Sequence, residues 1–416
     1  MSIIVNISDI PVERVDKDLL ITIEPKFGMG ATKYVQPYVL LEDKIVLPFA
    51  YATRMLKIPR PPRSKFPNIK CKFNGTLREP QTVVKKEAVI CLNKRGSTMI
   101  SAYCGFGKTI LAVNIALSIK FRTLIIVNKI VLMKQWEESI LRFSPNAVVR
   151  RLTAKSPKKP ADFYIMNAQN VSKKGRDFFD DVGLVIVDEA HMIMAETLSR
   201  SMQYVYPRYI IGLTATPYRP DGLDILLQFY FGRHKIVRKL HRKHIVYKVD
   251  TGFIPKVKRN IQGRVDWGSI LDQQANNTYR NELIVRIIKN YTERNFLVLV
   301  KRVSQGEYLI NRLKEENVSV TNLIGSNQEF ELSARVLVGT CQKVGTGFDH
   351  PKLDTLILAA DVQEYFIQYL GRIFRTQDSD PAVFDLVDNN GILRKHYSTR
   401  EIVYKGHGGI IIPLEI

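Results

Sequence analysis

Cysteine is scarce in this 416-residue chain, and what there is lies scattered at Cys71, Cys91, Cys104 and Cys341, with no CxxC pair and no histidine at ligand spacing. Zinc modules and disulfide frameworks are thereby excluded, and the four side chains are expected as reduced thiols of an intracellular protein. Long hydrophobic runs are missing as well. None reaches the roughly 20 residues that cross a bilayer, and the opening MSIIVNISDIPVERVDKD lacks a basic stretch leading into a signal-like apolar core. No short repeat or low-complexity tract is visible. The third deficit is acid: 40 Asp and Glu stand against 62 Lys and Arg, a net charge of +22. Such a field attracts a polyanion, and without a membrane signal the expected partner is nucleic acid, not a membrane.

The length allows two or three domains, each with its own core. The first 75 residues hold short extended runs (SIIVNI, LLITIE, YVLLEDKIVLPFA) and end in KIPRPPRSKFPNIK, whose four prolines among bases mark a boundary. From about Leu77, apolar runs alternate with amphipathic stretches: STMISAY, RTLIIVN, DFYIMNA, VGLVIVDEA and RYIIGLTATP. Alternation of this kind predicts βα units around a parallel sheet. The texture returns in NFLVLVK, ARVLVGT, DTLILAA and AVFDLVD, which predicts a second α/β lobe. Between them, nine Lys or Arg against the single acid Asp250 lie from His234 to Asn260. That run is either a solvated face or a surface turned toward a polyanion. The tail YKGHGGIIIPLEI is read as a partner-recruiting segment or as a final strand on the second lobe.

The segment AYCGFGKT follows a β-rich run and opens a helical one. Backbone amides of a tight turn through Gly105 and Gly107, together with a helix N-terminus, surround phosphate oxygens; Lys108 would reach the β and γ phosphates and Thr109 would ligate magnesium. Ala102 replaces the first glycine of the usual GxxxxGK[ST] pattern, so the flanking strand and helix carry the assignment. About 80 residues on, VGLVIVDEAH ends an apolar strand in two carboxylates. Asp188 there would hold the magnesium shell and Glu189 would orient and deprotonate water, which points to ATP hydrolysis with Mg2+.

Asp188, Glu189, Ala190 and His191 spell DEAH, and the chain resembles superfamily 2 helicases and translocases over roughly Leu77 to Asp388. The resemblance implies an α/β fold of two tandem RecA-like parallel-sheet lobes with a small β-containing N-terminal module. Gln81 in LREPQ takes the adenine-reading position. TLIIVNKIVLMKQWEESI resembles a motif lying along the nucleic-acid backbone, with Lys129 and Gln135 as contacts, and YIMNAQN sits where a further backbone-contacting motif occurs. GLTATPYRPDG resembles the motif whose Thr214 and Thr216 link the ATP site to the strand-binding face, with His191 and Gln368 in the same coupling role. In VLVGTCQKVGTGFDHPKLDTLI, Thr340 would face nucleic acid and Gly347 and Asp349 the nucleotide; in QYLGRIFR, Arg372 and Arg375 would approach the γ-phosphate across a cleft.

The expected domains are an accessory module at 1–75, an ATP-binding lobe at 76–232, a basic inter-lobe connection at 233–284 and a second lobe at 285–416. If the two motif sets belong to different lobes, ATP is a shared ligand that favours closure, and its hydrolysis releases the grip. The motif forms are similar to xeroderma pigmentosum B-like and phage recombination-type DNA translocases and to helicases of large cytoplasmic DNA viruses, including the poxvirus transcript-release type. A DNA motor is therefore expected, monomeric, working with transcription or replication machinery, and placed in the host cytoplasm or virion if viral. The alternatives are an RNA helicase or transcript-release factor, an ATP-gated nucleic-acid clamp, and a small-molecule kinase, the last having no use for a second lobe.

Overall fold

The strands of both sheets are runs such as Ser97–Ala102 and Phe296–Val300, in which every residue is buried, as parallel sheets covered on both faces require. A computed structural model describes residues 1–23, 32–194, 198–217, 223–261, 263–345, 348, 350–363, 366–374 and 380–415. The chain divides into two units, Met1–Arg238 and Lys239–Ile416.

In the first unit, β1 (Ser2–Asn6), β4 (Val39–Leu41) and β5 (Lys44–Pro48) form a small antiparallel sheet in the order β1-β5-β4, and β2 (Ile21–Ile23) pairs with β3 (Lys33–Val35). The strands that follow are β6 (Ser97–Ala102), β7 (Thr123–Val127), β8 (Val149–Leu152), β9 (Phe163–Asn167), β10 (Leu184–Val187), β11 (Tyr209–Thr214) and β12 (Lys235–Arg238). They make one parallel sheet ordered β12-β6-β11-β10-β7-β9-β8. Successive strand residues face opposite ways, so Leu124 and Ile126 pack in one core and Ile125 and Val127 in the other. The first core is closed by Ile3, Leu47 and Phe49 of the N-terminal segment. The second is closed by the helices Glu79–Arg95, Lys108–Ile119 and Ile130–Phe143 through Leu92, Ile115 and Trp136.

The second unit contains β13 (His244–Asp250), β14 (Phe296–Val300), β15 (Val320–Leu323), β16 (Val336–Thr340), β17 (Thr355–Leu358), β18 (Ala382–Val387) and β19 (Gly409–Leu414). These too are all parallel, ordered β15-β16-β14-β17-β18-β13-β19. The helix Gly391–Gly406 is locked onto the sheet by Arg400, which bridges Asp361 at 3.0 Å and Asp385 at 2.8 Å, while the Tyr404 hydroxyl donates to Asp385. Removing one partner of such a buried pair would strand the other.

This division departs from the expected boundaries in two places. Residues 1–75 share a core with the first sheet instead of standing apart. The basic stretch at 233–284 is not a connection, because β12 completes the first sheet and β13 lies between β18 and β19 of the second. Within it Ile236, Val246 and Val249 are buried, while Lys235, Arg238 and Lys248 are half-buried. The tail forms β19, the final strand of the second sheet. No helix of the described residues is long and apolar enough to cross a membrane.

Candidate nucleotide site and its coupling residues

In a parallel sheet the carboxyl ends of the strands share one edge, and the sites of α/β proteins gather there. The first unit brings to this edge the loop after β6, Lys129 after β7, Asp188 and Glu189 after β10, and Thr214 and Thr216 from β11. Gly105 and Gly107 both adopt left-handed backbone, with φ of +85° and +86°. A side chain at Gly107 would be strained, and its Cβ would lie 2.4 Å from Gln81 Nε2. The helix Lys108–Ile119 begins directly after Gly107, so its unpaired N–H groups open on the loop. Lys108 Nζ is held at the loop by the carbonyls of Ala102 at 2.8 Å and Tyr103 at 3.3 Å. Half-buried Thr109 follows in the first helical turn.

Gln81, the expected adenine contact, is placed beside the loop and is hydrogen-bonded to it. Its Oε1 accepts from Arg78 N–H at 2.9 Å, completing the cap of the helix Glu79–Arg95, and its Nε2 donates to Phe106 O at 2.9 Å. The Arg78 guanidinium donates to the Gly105 carbonyl at 3.2 Å and also to that of Phe106. Both side chains therefore brace the phosphate loop from the preceding helix. The role of Arg78 was not drawn from the sequence, although its position three residues before Gln81 is a capping spacing.

Asp188 is held by two donors. Trp136 Nε1–H donates to Oδ2 at 2.8 Å and Glu189 N–H to Oδ1 at 3.0 Å. Burial first, then the Glu189 charge, raise its carboxyl to about 6 against the opposing pull of Trp136 and Lys108. Trp136 is the second functional residue missed in the sequence. It lies 52 positions from Asp188 and reaches it only because its helix, Ile130–Phe143, packs on this edge.

Glu189 has φ +44° and ψ 52°, a left-handed conformation that a bulky residue adopts under constraint. Its buried Oε2 accepts no hydrogen bond and lies 3.5 Å from His191 Nδ1. The ring of His191, 1% exposed, has Nδ1 2.8 Å from Thr214 Oγ1 and Nε2 3.3 Å from Thr216 Oγ1. Thr214 Oγ1 also accepts from Thr216 N–H and donates to Thr216 O, each at 3.0 Å. With its one proton so used, the hydroxyl must accept from His191, which assigns the ring proton to Nδ1. Glu189, His191, Thr214 and Thr216 thus form one continuous chain of contacts from β10 to β11.

Lys129 comes to the same edge, half-buried and under the influence of Glu189, whose charge partly offsets the lowering of its ammonium pKa by burial. Gln135 is half-buried and precedes Trp136, leaving the helix about 100° away from it. Asn167 of YIMNAQN caps the short helix Ala168–Val171 by accepting from Gln169 N–H.

In the second unit Thr340 ends β16, and Gln368 is buried in the helix Phe366–Leu370. Arg372 is 8% exposed and donates to the carbonyls of Gly345 at 2.8 Å and Phe348, so it braces the segment that follows β16. Gly347, Asp349 and Arg375 lie outside the described residues, as does the YRPDG end of GLTATPYRPDG.

Residues 74–219 match the family described as "Type III restriction enzyme, res subunit". The chain is 47% identical over 399 residues to "Putative helicase 161L" of Invertebrate iridescent virus 6, covering 89% of this chain and 90% of that protein. It is 33% identical over 374 residues to "Putative helicase 055L" of Frog virus 3 (isolate Goorha), covering 88% and 85%. Among solved structures, S. cerevisiae Dbp5 bound to RNA and ADP BeF3 matches with a TM-score of 0.56 at 14% identity, over 79% of this chain and 89% of that one, a likeness of fold. The two parallel-sheet units are thus tandem RecA-like lobes, and the chain belongs to the superfamily 2 helicases of large DNA viruses.

Proposed function

We propose that the protein is a DNA-stimulated ATPase that moves along its track, and that the first unit carries the hydrolytic chemistry. The observation that supports this most is the contact chain Glu189–His191–Thr214–Thr216, because a binding-only nucleotide site has no need to join its base to the next strand. Lys108 and the N–H groups of the loop bind the phosphates of ATP, the substrate. The cradle fits them: both glycines have positive φ, and a Cβ at Gly107 would obstruct it.

Asp188 and Thr109 fit a hard cation through oxygen donors, and Mg2+ bound there would neutralise phosphate charge. Glu189 accepts the proton of the attacking water, an assignment supported by its buried, unbonded Oε2. The His191 ring lies beside that carboxylate, with Nδ1 3.5 Å from Oε2, while its Nδ1–H is donated to Thr214. Thr214 and Thr216 carry the state of this carboxylate toward the DNA-binding residues, among which we place Gln135 and Thr340. Lys129 is reassigned on its proximity to Glu189 to the nucleotide edge. In the second unit, Arg375 is the proposed γ-phosphate ligand, with Gly347 and Asp349 toward the nucleotide. Gln368 keeps a proposed coupling role, and Arg372, expected at the γ-phosphate, is reassigned on its bonds to Gly345 O and Phe348 O to bracing the segment after β16.

DNA is preferred over RNA because the motif forms resemble those of DNA translocases, with an RNA helicase or transcript-release factor as the alternative. The host cytoplasm as site of action, association with viral transcription or replication machinery, and a monomeric state belong to the same reading. Steady-state ATPase measured with no polymer, single-stranded DNA, duplex DNA and single-stranded RNA tests it. Stronger stimulation by DNA is expected. Stimulation mainly by RNA would move the protein to an RNA track, and none by any polymer would contradict the motor.

A further inference from the structure

The proline-rich basic segment that marked a boundary in the sequence has no part in the site above. Between Asp43 and Arg78 the chain carries eight Lys or Arg and no acid at all. In the structure this stretch runs past the amino-terminal ends of the central strands, the edge opposite the phosphate loop. Ile69 N–H donates to Lys120 O just before β7, Asn68 pairs with Phe121, and Arg54 donates to Ser97 O and Oγ at the start of β6. Ser97 and Ala102 at the two ends of β6 are about 17 Å apart, at ~3.3 Å per residue.

Some of these bases have structural duties. Arg60 closes the end of the helix Glu79–Arg95 by donating to Leu92 O and Asn93 O, and Arg63 donates to Ile119 O at the end of the next helix. Arg54, Lys57, Arg60, Lys70 and Lys72 border, with bases of the neighbouring helices, two cavities whose lining holds no carboxylate. One, of about 510 Å³, is bordered by Arg54, Lys57, Arg60, Lys94 and Arg95. The other, of about 680 Å³, is bordered by Lys70, Lys72, Lys85 and Lys120 around Asn114. Lys70 and Lys72 also border a third, of about 590 Å³, whose lining includes Asp162. Lys57, Lys94, Arg95, Lys70, Lys72 and Lys120 are exposed. Each of the two carboxylate-free cavities is bordered by a residue with a buried, unpartnered polar atom, Arg54 (Nε) at the first and Asn114 (Oδ1) at the second. Arg54 is held below its usual range first by burial and then by the charge of Arg95.

Gathering like charges on one edge is unfavourable until an anion neutralises them. Arg54, Lys57, Lys70 and Lys72 lie along one extended strap, and Lys85, Lys94, Arg95 and Lys120 lie on or at the ends of the helices beside it, a spread that suits a polymeric anion better than a small one. Exposed lysines act as point charges, matching phosphate contacts, which position a nucleic acid without reading its bases. We propose that this strap is a second nucleic-acid contact of the first unit, binding the phosphate backbone at the sheet edge opposite the nucleotide loop. It rests on the reading of the chain as a DNA motor only in the choice of nucleic acid as the anion.

The test combines Lys70→Gln, Lys72→Gln, Lys94→Gln and Arg95→Gln in the full chain. Affinity for a labelled 30-base-pair duplex would be measured from about 50 to 200 mM salt, with ATPase followed in parallel. Each lost phosphate contact should flatten the slope of log affinity against log salt by about 0.9, so a reduction of about 2 to 4 is expected. ATPase without polymer should be unchanged. The matching Lys→Arg set at 70, 72 and 94 should restore the slope. An unchanged slope in a variant that melts like the parent overturns the proposal.

If the quadruple variant does not fold, photocrosslinking of iodouracil-substituted DNA to the parent protein decides: adducts within 54–73 or 94–120 support the strap, and their absence overturns it. Competition by tripolyphosphate as strong, per phosphate, as that by DNA would mean a small-anion site and would equally overturn it. Parent ATPase that no DNA stimulates, with crosslinks present at the strap, would fail the motor reading and leave the strap standing.

Discussion

Thr214→Val removes one hydroxyl and keeps the β-branched shape that ends β11. In the structure that oxygen accepts from Thr216 N–H, accepts from His191 Nδ1–H and donates to Thr216 O, with every group involved buried. Two donors lose their acceptor. A buried donor left unpaired costs about 1–3 kcal/mol, and His191 recovers part of its loss through Glu189, 3.5 Å away. The expected destabilisation of the first unit is therefore about 2–4 kcal/mol, read as a lowered urea midpoint with unchanged slope. Pulling His191 toward Glu189 also severs the base from the neighbouring strand. ATP binding should persist while the DNA-stimulated increment of ATPase collapses toward the rate without polymer. A midpoint within the equivalent of about 0.5 kcal/mol of the parent, with stimulation intact, would refute both the hydrogen-bond assignment and the coupling role.

Two further outcomes follow from the same geometry. Gln81→Ala removes the brace on Phe106 O and the cap on Arg78 N–H, so KM should rise about tenfold, the worth of one to two neutral hydrogen bonds, and by the same factor for ATP and GTP; a rise confined to ATP would return Gln81 to base reading. His244 in the second unit donates Nδ1–H to Arg242 O, while its buried Nε2 is unpartnered, and burial holds its pKa below the usual value. The unfolded chain, with a histidine near 6.5, then binds more protons than the folded one as pH falls below that value. Stability of the second unit should be full above about pH 6.5 and decline below it by up to about 1.4 kcal/mol per pH unit. His244→Phe should remove that share of the decline, measured by thermal melts between pH 5 and 8.

The parts of the fold legible in the sequence are those where burial is continuous. β6, β7, β10 and β11 are buried on both faces and stand out as runs, and the residues that follow them hold the motifs. β12 and β13 did not stand out, because Lys235, Arg238, His244 and Lys248 interrupt them and the stretch reads as a charge run. Pairing with β6 and with β18 and β19 is a long-range property that no local pattern carries. The same holds for Ile3, Leu47 and Phe49, whose apolar character was visible but whose partner surface was not. In the site, Lys108, Asp188 and Glu189 follow from their spacing. The Trp136 contact does not, since one indole N–H reaching a carboxylate 52 residues away is decided by helix packing. Gln81 shows the converse: its position matches a motif, while its hydrogen bond to Phe106 O is a contact that no local pattern announces.

The most direct test of the account is single-turnover hydrolysis of ATP on DNA by the parent and by Glu189→Gln. The substitution keeps size and removes the proton acceptor. Nucleotide and DNA affinity should stay within about threefold while hydrolysis falls by at least ~100-fold, the lower range for a lost general base, leaving ATP bound. Hydrolysis near the parent rate would contradict the assignment of Glu189 and with it the contact chain on which the proposed coupling depends.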